Sequence, residues 1–477
     1  MRSPLTPLVR GEARPYNTEM TTFYIEQFGC RATQADAAAI ERQLRDRGFA
    51  AASESASADV VIVNTCTVTS AADAQARDAI RKLHARNPAA RVIATGCYAQ
   101  RAPEELANLP GVSWVVGNSH KPEIPWLMDS MIGGTAKESA SGFVPASALG
   151  EEKFSLRHGP TKILTGNIFE QRTLLAAPVI GGEGNHTRPV VKIQDGCNSR
   201  CAYCVIPFVR GRSRSLGPAL VIDEIARLSA AGYREIVLSG INLGTYGRDL
   251  SPRVELIELV WRILDHTGVE RLRISSIEPM DVTEELIALF ASSERMAQHF
   301  HMPLQSGCDR VLAAMHRWYR AEHYARRVEL IRERLPDAAI GADVIAGFPG
   351  ETDAEHAETV AFIERLPFSY LHVFSYSKRP GTRAAELLDQ VAAPVVKQRA
   401  RALRVLGEEK AREFRRSQAG RELRVLTLRD ERNSAEMTPA LSSNYLRVGV
   451  WGKFAANEWM DVVISERDEG IVAEPAT

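Results

Sequence analysis

The sequence predicts an α/β protein in three parts: a parallel α/β sheet domain, a partial (β/α)6 barrel and a small all-β module. Three observations carry this. Two blocks alternate strand and helix patterns with short connections, which implies parallel strands covered by helices. The tail alternates in short apolar runs instead. Six of the seven cysteines fall at the end of a predicted strand or in the loop after one. At 477 residues the chain exceeds what one hydrophobic core usually serves.

In the first block, "TFYIEQFGC", "VVIVNTC", "RVIATGC" and "VSWVVG" read as strands. Between them, "QADAAAIERQLRDRGFA" has a helical period, and "SAADAQARDAIRKLHARNP" is a helix stopped by Asn87-Pro88. Residues 129–187 are rich in Gly, Ala and Ser with little period, and read as a partly disordered linker or insertion. The second block has six strands: "PVVKIQDGC", "EIVLSGINL", "RLRISSIEP", "HFHMPLQSG", "AIGADVIAGFPG" and "YLHVFSYS". Six βα units in a row suggest the partial barrel. A charged helix follows to about Ala419. The expected domains are therefore 20–128, 188–418 and 419–477.

Composition narrows the class. Basic and acidic residues balance at 59 each, so any nucleic-acid binding rests on local patches. No apolar run approaches the ~20 residues that span a bilayer, and the N-terminal stretch lacks a secretory apolar core. A cytoplasmic protein without membrane partners is expected, where structural disulfides are rare. The cysteines then need another explanation.

Cys30, Cys66 and Cys97 each end a different predicted strand, and in a parallel sheet those ends share one ligand-binding edge. Three soft donors without a fourth suit zinc with an external ligand, or a [4Fe–4S] cluster with one open iron. Cys197, Cys201 and Cys204 form a C-x3-C-x2-C loop after the first strand of the second block. Three thiolates from one tight loop can hold three irons of a [4Fe–4S] cluster and leave the fourth open. Cys308 reads as a buried thiol.

The C-x3-C-x2-C loop resembles the signature of the radical S-adenosylmethionine (radical SAM) enzymes. That resemblance implies catalytic cysteines 197, 201 and 204 on a cluster whose open iron takes SAM, and a 5′-deoxyadenosyl radical that abstracts hydrogen from a C–H bond. With the three-cysteine domain in front and a C-terminal module loosely similar to the TRAM domain, a small RNA-binding β-barrel, the chain resembles the methylthiotransferases from about Thr22 onward. The family resemblance implies a second [4Fe–4S] cluster on Cys30, Cys66 and Cys97, and methylthio transfer from it. It also implies a tRNA anticodon loop as partner, an electron donor of flavodoxin or ferredoxin type, and a sulfur source. "NTCTVT", "RGRSRS" and "HVFSYSKRPGTRAA" resemble the branch acting on N6-threonylcarbamoyladenosine. The alternatives are isopentenyladenosine in tRNA, an aspartate of a ribosomal protein, or a non-catalytic metal-containing RNA-binding protein.

Further residues complete the expected site. Ser276 and Glu278 end a strand on the active face, and Gln305 is placed similarly; all three are candidate SAM contacts. Gly347 and Gly350 form a tight βα turn or help close over SAM. In 395–430, basic residues outnumber acidic ones eleven to five. Arg415 and Arg416 there are candidate RNA contacts. Arg210, Arg212 and Arg214, just past the cysteine loop, either reach substrate phosphates or support the loop.

Overall fold

The computed structural model describes residues 21–132, 161–172, 174–175, 187–429, 436–467 and 470–476. The N-terminal lead-in and most of the expected linker lie outside the described residues.

Strands β1 (Thr22–Gln27), β2 (Ala50–Ala51), β3 (Val60–Thr65), β4 (Arg91–Gly96) and β5 (Val112–Gly117) form one parallel sheet. The order β2-β1-β3-β4-β5 puts β1, β3 and β4 side by side. Every residue of β3 is buried, as a continuous apolar run covered on both faces requires. Its alternate side chains enter two cores. Val60 and Ile62 share one with Ile40 and Leu44 of helix Arg31–Asp46. Val61 and Val63 share the other with Ile80 and Leu83 of helix Ser70–Arg86.

A sixth strand, β6 (Lys162–Leu164), pairs with β5 although it falls in the stretch expected as linker. Three residues carry no readable alternation. The open edge of β5 recruits them, not a pattern of their own.

The second block contains β7 (Val190–Lys192), β8 (Gln194–Asp195), β9 (Arg214–Ser215), β10 (Glu235–Ser239), β11 (Arg271–Ile274), β12 (His299–His301), β13 (Ala339–Ala346) and β14 (Tyr370–Ser375). β7, β10 and β11 pair in parallel, as do β12, β13 and β14. A bridge between Leu272 and Met296 joins the two sets, and the Ile277 N–H donates to the His301 carbonyl at 3.0 Å. The result is an open arc of six parallel strands with helices outside. β8 and β9 form a short antiparallel pair at the foot of the cysteine loop. Helix Ala393–Ser417 lies along β13 and β14, burying Ala400, Leu403 and Leu406 in the shared core.

That helix leads into a closed barrel of β15 (Glu422–Thr427), β16 (Met437–Ser442), β17 (Arg447–Trp451), β18 (Trp459–Arg467) and β19 (Gly470–Pro475). The sequence shows three of these strands. Pro439 hides β16, because proline removes a ladder donor; its carbonyl still accepts from the Leu428 N–H at 2.7 Å.

Buried charge holds the small barrel under the arc. Glu235, fully buried at the start of β10, takes Arg273 Nε at 2.7 Å and Arg188 Nη1 at 3.0 Å, with Arg271 alongside. Burial pushes its carboxyl up, but the three guanidiniums outweigh this and hold it well below the usual range. The same arginines donate onward to the C-terminal barrel: Arg271 to the Leu441 carbonyl at 3.0 Å, and Arg273 to those of Ser442 and Ser443 at 3.1 and 3.0 Å. Glu235→Gln leaves these cations without their counter-charge. It is expected to cost about 3–5 kcal/mol, read as a fall in the urea unfolding midpoint.

Candidate active site

Because β1, β3 and β4 are neighbours, the residues after them meet at one sheet edge. Cys30 precedes helix Arg31–Asp46, Cys66 follows β3, and Cys97 opens helix Cys97–Arg101. Cys66 and Cys97 are buried and Cys30 is exposed. The approach is close. At Gly29 (φ +100°) a Cβ would stand 2.5 Å from Cys66 Cβ and 2.9 Å from its Sγ. At Gly96 (φ +102°) it would stand 2.3 Å from the Thr65 carbonyl oxygen. Glycine alone combines that backbone with that clearance. Burial, then the Cys97 and Cys30 sulfurs, push the Cys66 thiol up to about 12. A thiol held so high becomes a thiolate only when a metal replaces its proton.

The second trio lies beyond β8 in the loop expected for it. Cys197 N–H donates to the Gly211 carbonyl at 3.0 Å, and Ala202 is clamped by Met315 and Ala384 backbones at 2.9 and 2.8 Å. Burial, then Cys201, push the Cys204 thiol up to about 12. Arg317, which no motif signals, is buried beside this loop. It donates to Cys201 Sγ at 3.3 Å and pairs with Glu278. Glu278 is thus beside the Cys197–Cys204 loop; its side chain makes no cap bond and is held by Arg317.

One short helix, Ile206–Arg210, separates the trios. Cys97 packs on Val205, Ile206 and Val209. Arg210 closes a buried network across the two domains. Its guanidinium meets Asp36 Oδ2 at 3.0 Å and Asp195 Oδ1 at 3.0 Å. Lys121 meets Asp36 at 2.8 Å, and Lys192 bridges Asp36 to Asp195, the latter at 2.9 Å. Burial raises the Asp36 carboxyl; Arg210, Lys121 and Lys192 overcome this and hold it far below its ordinary range.

This corrects the RNA reading of two arginines. Arg210 is 2% exposed and Arg214 8%, the latter donating to the carbonyls of Arg210 and Arg212 at 2.8 and 2.9 Å. Both support the loop, and Arg212 alone of the three reaches solvent. In the basic stretch, Arg416 is exposed and pairs with Glu466 at 3.0 Å, and Arg415 is half-buried. Arg399 is buried against Glu351 at 2.8 Å.

A cavity of about 230 Å³ is lined by Val68 and Thr69, just after Cys66, and by Tyr203, Cys204, Val205 and Ile206. Gln305, Asp343, Ile345 and Phe374 also line it. Gln305 takes a left-handed backbone (φ +66°), unusual for this residue type, and bridges Asp343 and Ile345 through its main chain. Ser276 is half-buried at the end of β11. Gly347 and Gly350 are not among the lining residues. A Cβ on Gly347 would strike Val396 of the long helix at 2.5 Å, so the turn packs outward. Cys308 is buried with Ala202, Val311 and Phe348, as expected.

Asp343, one of the lining residues, belongs to a cluster that no sequence motif signals. His301 Nε2 and His372 Nδ1 lie 3.0 and 3.2 Å from Asp343 Oδ1. Tyr370 Oη sits 2.7 Å from His299 Nε2 and 3.0 Å from His301 Nδ1, and Tyr445 of the C-terminal barrel stacks on His299 at 4.2 Å. The available signal was the His-Phe-His alternation, which puts both histidines on one strand face.

Each trio fits an iron–sulfur group. Side-chain amides point at sulfur in both: Asn118 Nδ2 at 3.5 Å from Cys97 and Asn242 Nδ2 at 3.9 Å from Cys197. Buried polar atoms left without a partner gather there too, Asn118 Oδ1, Asn242 Oδ1, Arg210 Nε and Arg317 Nε. Three soft donors, N–H groups on sulfur and nearby buried cations are what such a group requires.

A six-stranded (β/α) arc carrying a C-x3-C-x2-C loop at its mouth defines a radical SAM enzyme. Residues 191–363 match the Radical SAM superfamily, and residues 22–117 match the Uncharacterized protein family UPF0004. The chain is 36% identical to a threonylcarbamoyladenosine tRNA methylthiotransferase MtaB of Aquifex aeolicus, over 89% of this chain and 95% of that one. A Bacillus subtilis protein of the same name is also 36% identical, over 90% of each chain. A tRNA-2-methylthio-N(6)-dimethylallyladenosine synthase of Syntrophomonas wolfei is 33% identical over 93% and 95%. In fold, the chain resembles TsrM, a radical S-adenosylmethionine methyltransferase from Kitasatospora setae (TM-score 0.54, 17% identity, 77% of each chain). The chain belongs to the radical SAM tRNA methylthiotransferase family. Membership implies SAM and a [4Fe–4S] cluster as cofactors. Among the described residues no helix is long and apolar enough to cross a membrane.

In the metal-free chain, Cys30 is expected to react with N-ethylmaleimide at least about tenfold faster than Cys66 or Cys97, because only it is open to reagent. Peptide mass spectrometry of a time course checks this.

Proposed function

We propose that this chain transfers a methylthio group to carbon 2 of N6-threonylcarbamoyladenosine at position 37 of tRNA, next to the anticodon, with two [4Fe–4S] clusters. The cavity lined both by Cys204 and by Val68 and Thr69, which follow Cys66, is the observation that carries the reading. Hydrogen abstraction and sulfur delivery must reach the same carbon, and this cavity is lined by residues from the loop after Cys66 and from the Cys197–Cys204 loop. When bound, the groups supply a SAM-derived radical on one side and transferable sulfur on the other.

The chain's own residues do the rest. Cys197, Cys201 and Cys204 would hold the radical cluster, and Cys30, Cys66 and Cys97 the sulfur-bearing one. Arg317 and Glu278 set the back of the radical loop. Phe374, Ile345 and Val68 offer apolar faces for a flipped base, and Gln305, Asp343 and Thr69 offer polar edges. Arg212, Arg415 and Arg416 remain the candidate phosphate contacts. The names of the relatives favour threonylcarbamoyladenosine, with dimethylallyladenosine as the second reading. An electron donor of flavodoxin or ferredoxin type and a sulfur source complete the proposed partners.

Two measurements test this. Mass spectrometry of tRNA nucleosides from a deletion strain is expected to show loss of the methylthio form of threonylcarbamoyladenosine; an unchanged peak overturns the substrate. Anaerobically reconstituted protein is expected to hold about eight irons per chain. Cys66→Ala is expected to lower this to about four, keep reductive SAM cleavage and abolish methylthio product.

A further inference from the structure

Two stretches singled out in the sequence, "NTCTVT" and "HVFSYSKRPGTRAA", lie far apart in the chain and meet in the fold. Thr67, directly after Cys66, is fully buried. Its hydroxyl donates to Asp73 Oδ1 at 2.6 Å and accepts from Arg101 Nε at 2.8 Å. Arg379 enters from the loop after β14. Its Nη1 reaches Asp73 Oδ2 at 2.6 Å and the Thr67 carbonyl at 3.3 Å. Both partners are almost fully buried, Asp73 at 3% exposed and Arg379 at 4%. Beside them, the Ser70 N–H donates to Ser377 Oγ at 3.0 Å. The Arg379 loop is braced in turn, with Thr382 Oγ1 donating to the Arg379 carbonyl at 2.7 Å.

We propose that Arg379 is a positioning residue that couples methylthio transfer to SAM cleavage, by fixing the loop after Cys66 over the barrel mouth. The proposal rests on the two-cluster reading above. The joined loops are also the cavity's wall: Val68 and Thr69 come from one, Ser375, Tyr376 and Ser377 from the other. SAM cleavage belongs to the barrel side, whereas sulfur comes from the N-terminal side. A displacement of about 1 Å between reacting groups costs about a hundredfold in rate. A rigid cross-domain contact at this wall therefore governs the second step and leaves the first alone. The charge arrangement separates coupling from folding. Asp73 is shared with Arg101 of its own domain, Nη2 at 3.0 Å. Without Arg379 the carboxylate keeps a counter-charge, and what is lost is the pair of Arg379 bonds, to Asp73 and to the Thr67 carbonyl, that cross the domains.

The test uses reconstituted Arg379→Gln and Arg379→Lys with substrate tRNA, dithionite and a dithiol. In the glutamine variant the ratio of 5′-deoxyadenosine to methylthiolated nucleoside is expected to rise at least about tenfold. Each excess deoxyadenosine takes one electron from dithionite and one hydrogen atom from the dithiol. Iron per chain is expected to stay at the wild-type value, and the ratio in the lysine variant, which keeps the charge, to fall between. In the metal-free glutamine variant, amide exchange of residues 66–73 is expected to speed up. An unchanged ratio, or product lost in step with iron, overturns the proposal. Should wild type make no methylthiolated nucleoside, the functional reading has failed; unchanged exchange in 66–73 then overturns the latch by itself, and faster exchange upholds it.

Discussion

The Asp36 carboxylate is the point on which the site depends. It lies on a helix of the N-terminal sheet, yet its partners Lys192 and Arg210 belong to the barrel. Two acids and four cations, Asp36 and Asp195 with Lys121, Lys192, Arg210 and Arg214, are packed out of water there. Such a network is strongly directional, because each charge removed from solvent must find its counterpart in place. It sets the Ile206–Arg210 helix between the trios, so that Cys97 packs on one side of it and Cys204 leads into the other. Its cationic excess faces sulfur: Arg210 feels Cys97 and Cys30. An anionic metal–thiolate group is favoured by that field.

Buried ion networks recur at each junction. Asp36 joins the sheet to the barrel, Asp73 joins them again through Arg379, and Glu235 anchors the arginines that reach the small β-barrel. Apolar surface would hold the parts together without prescribing one orientation. Paired charges prescribe it, since a shift of an ångström or two leaves an ion desolvated and unpaired.

Much of this was legible in the sequence. The alternation of β3, β4 and their helices exposed the parallel sheet, and the cysteines at the strand ends pointed to one shared edge. The six strands of the arc and the C-x3-C-x2-C loop were equally plain, because period and spacing are local properties. Strands β6 and β16 were not, the first being too short to carry a period and the second containing Pro439. Arg210 and Arg214 looked like surface cations because charge in a sequence carries no record of burial. Only the position of Asp195 and Asp36 shows that they face inward.

By itself, the sequence determined the order of domains, the two trios and the class of chemistry they suit, since each is written in neighbouring residues or in strand period. Tertiary structure alone decided which polar residues come together. Asp36, Asp73, Arg317, Arg379 and the His301–Asp343–His372 cluster have partners dozens to hundreds of residues away. A buried charge is defined by what surrounds it in space, and no local pattern encodes that.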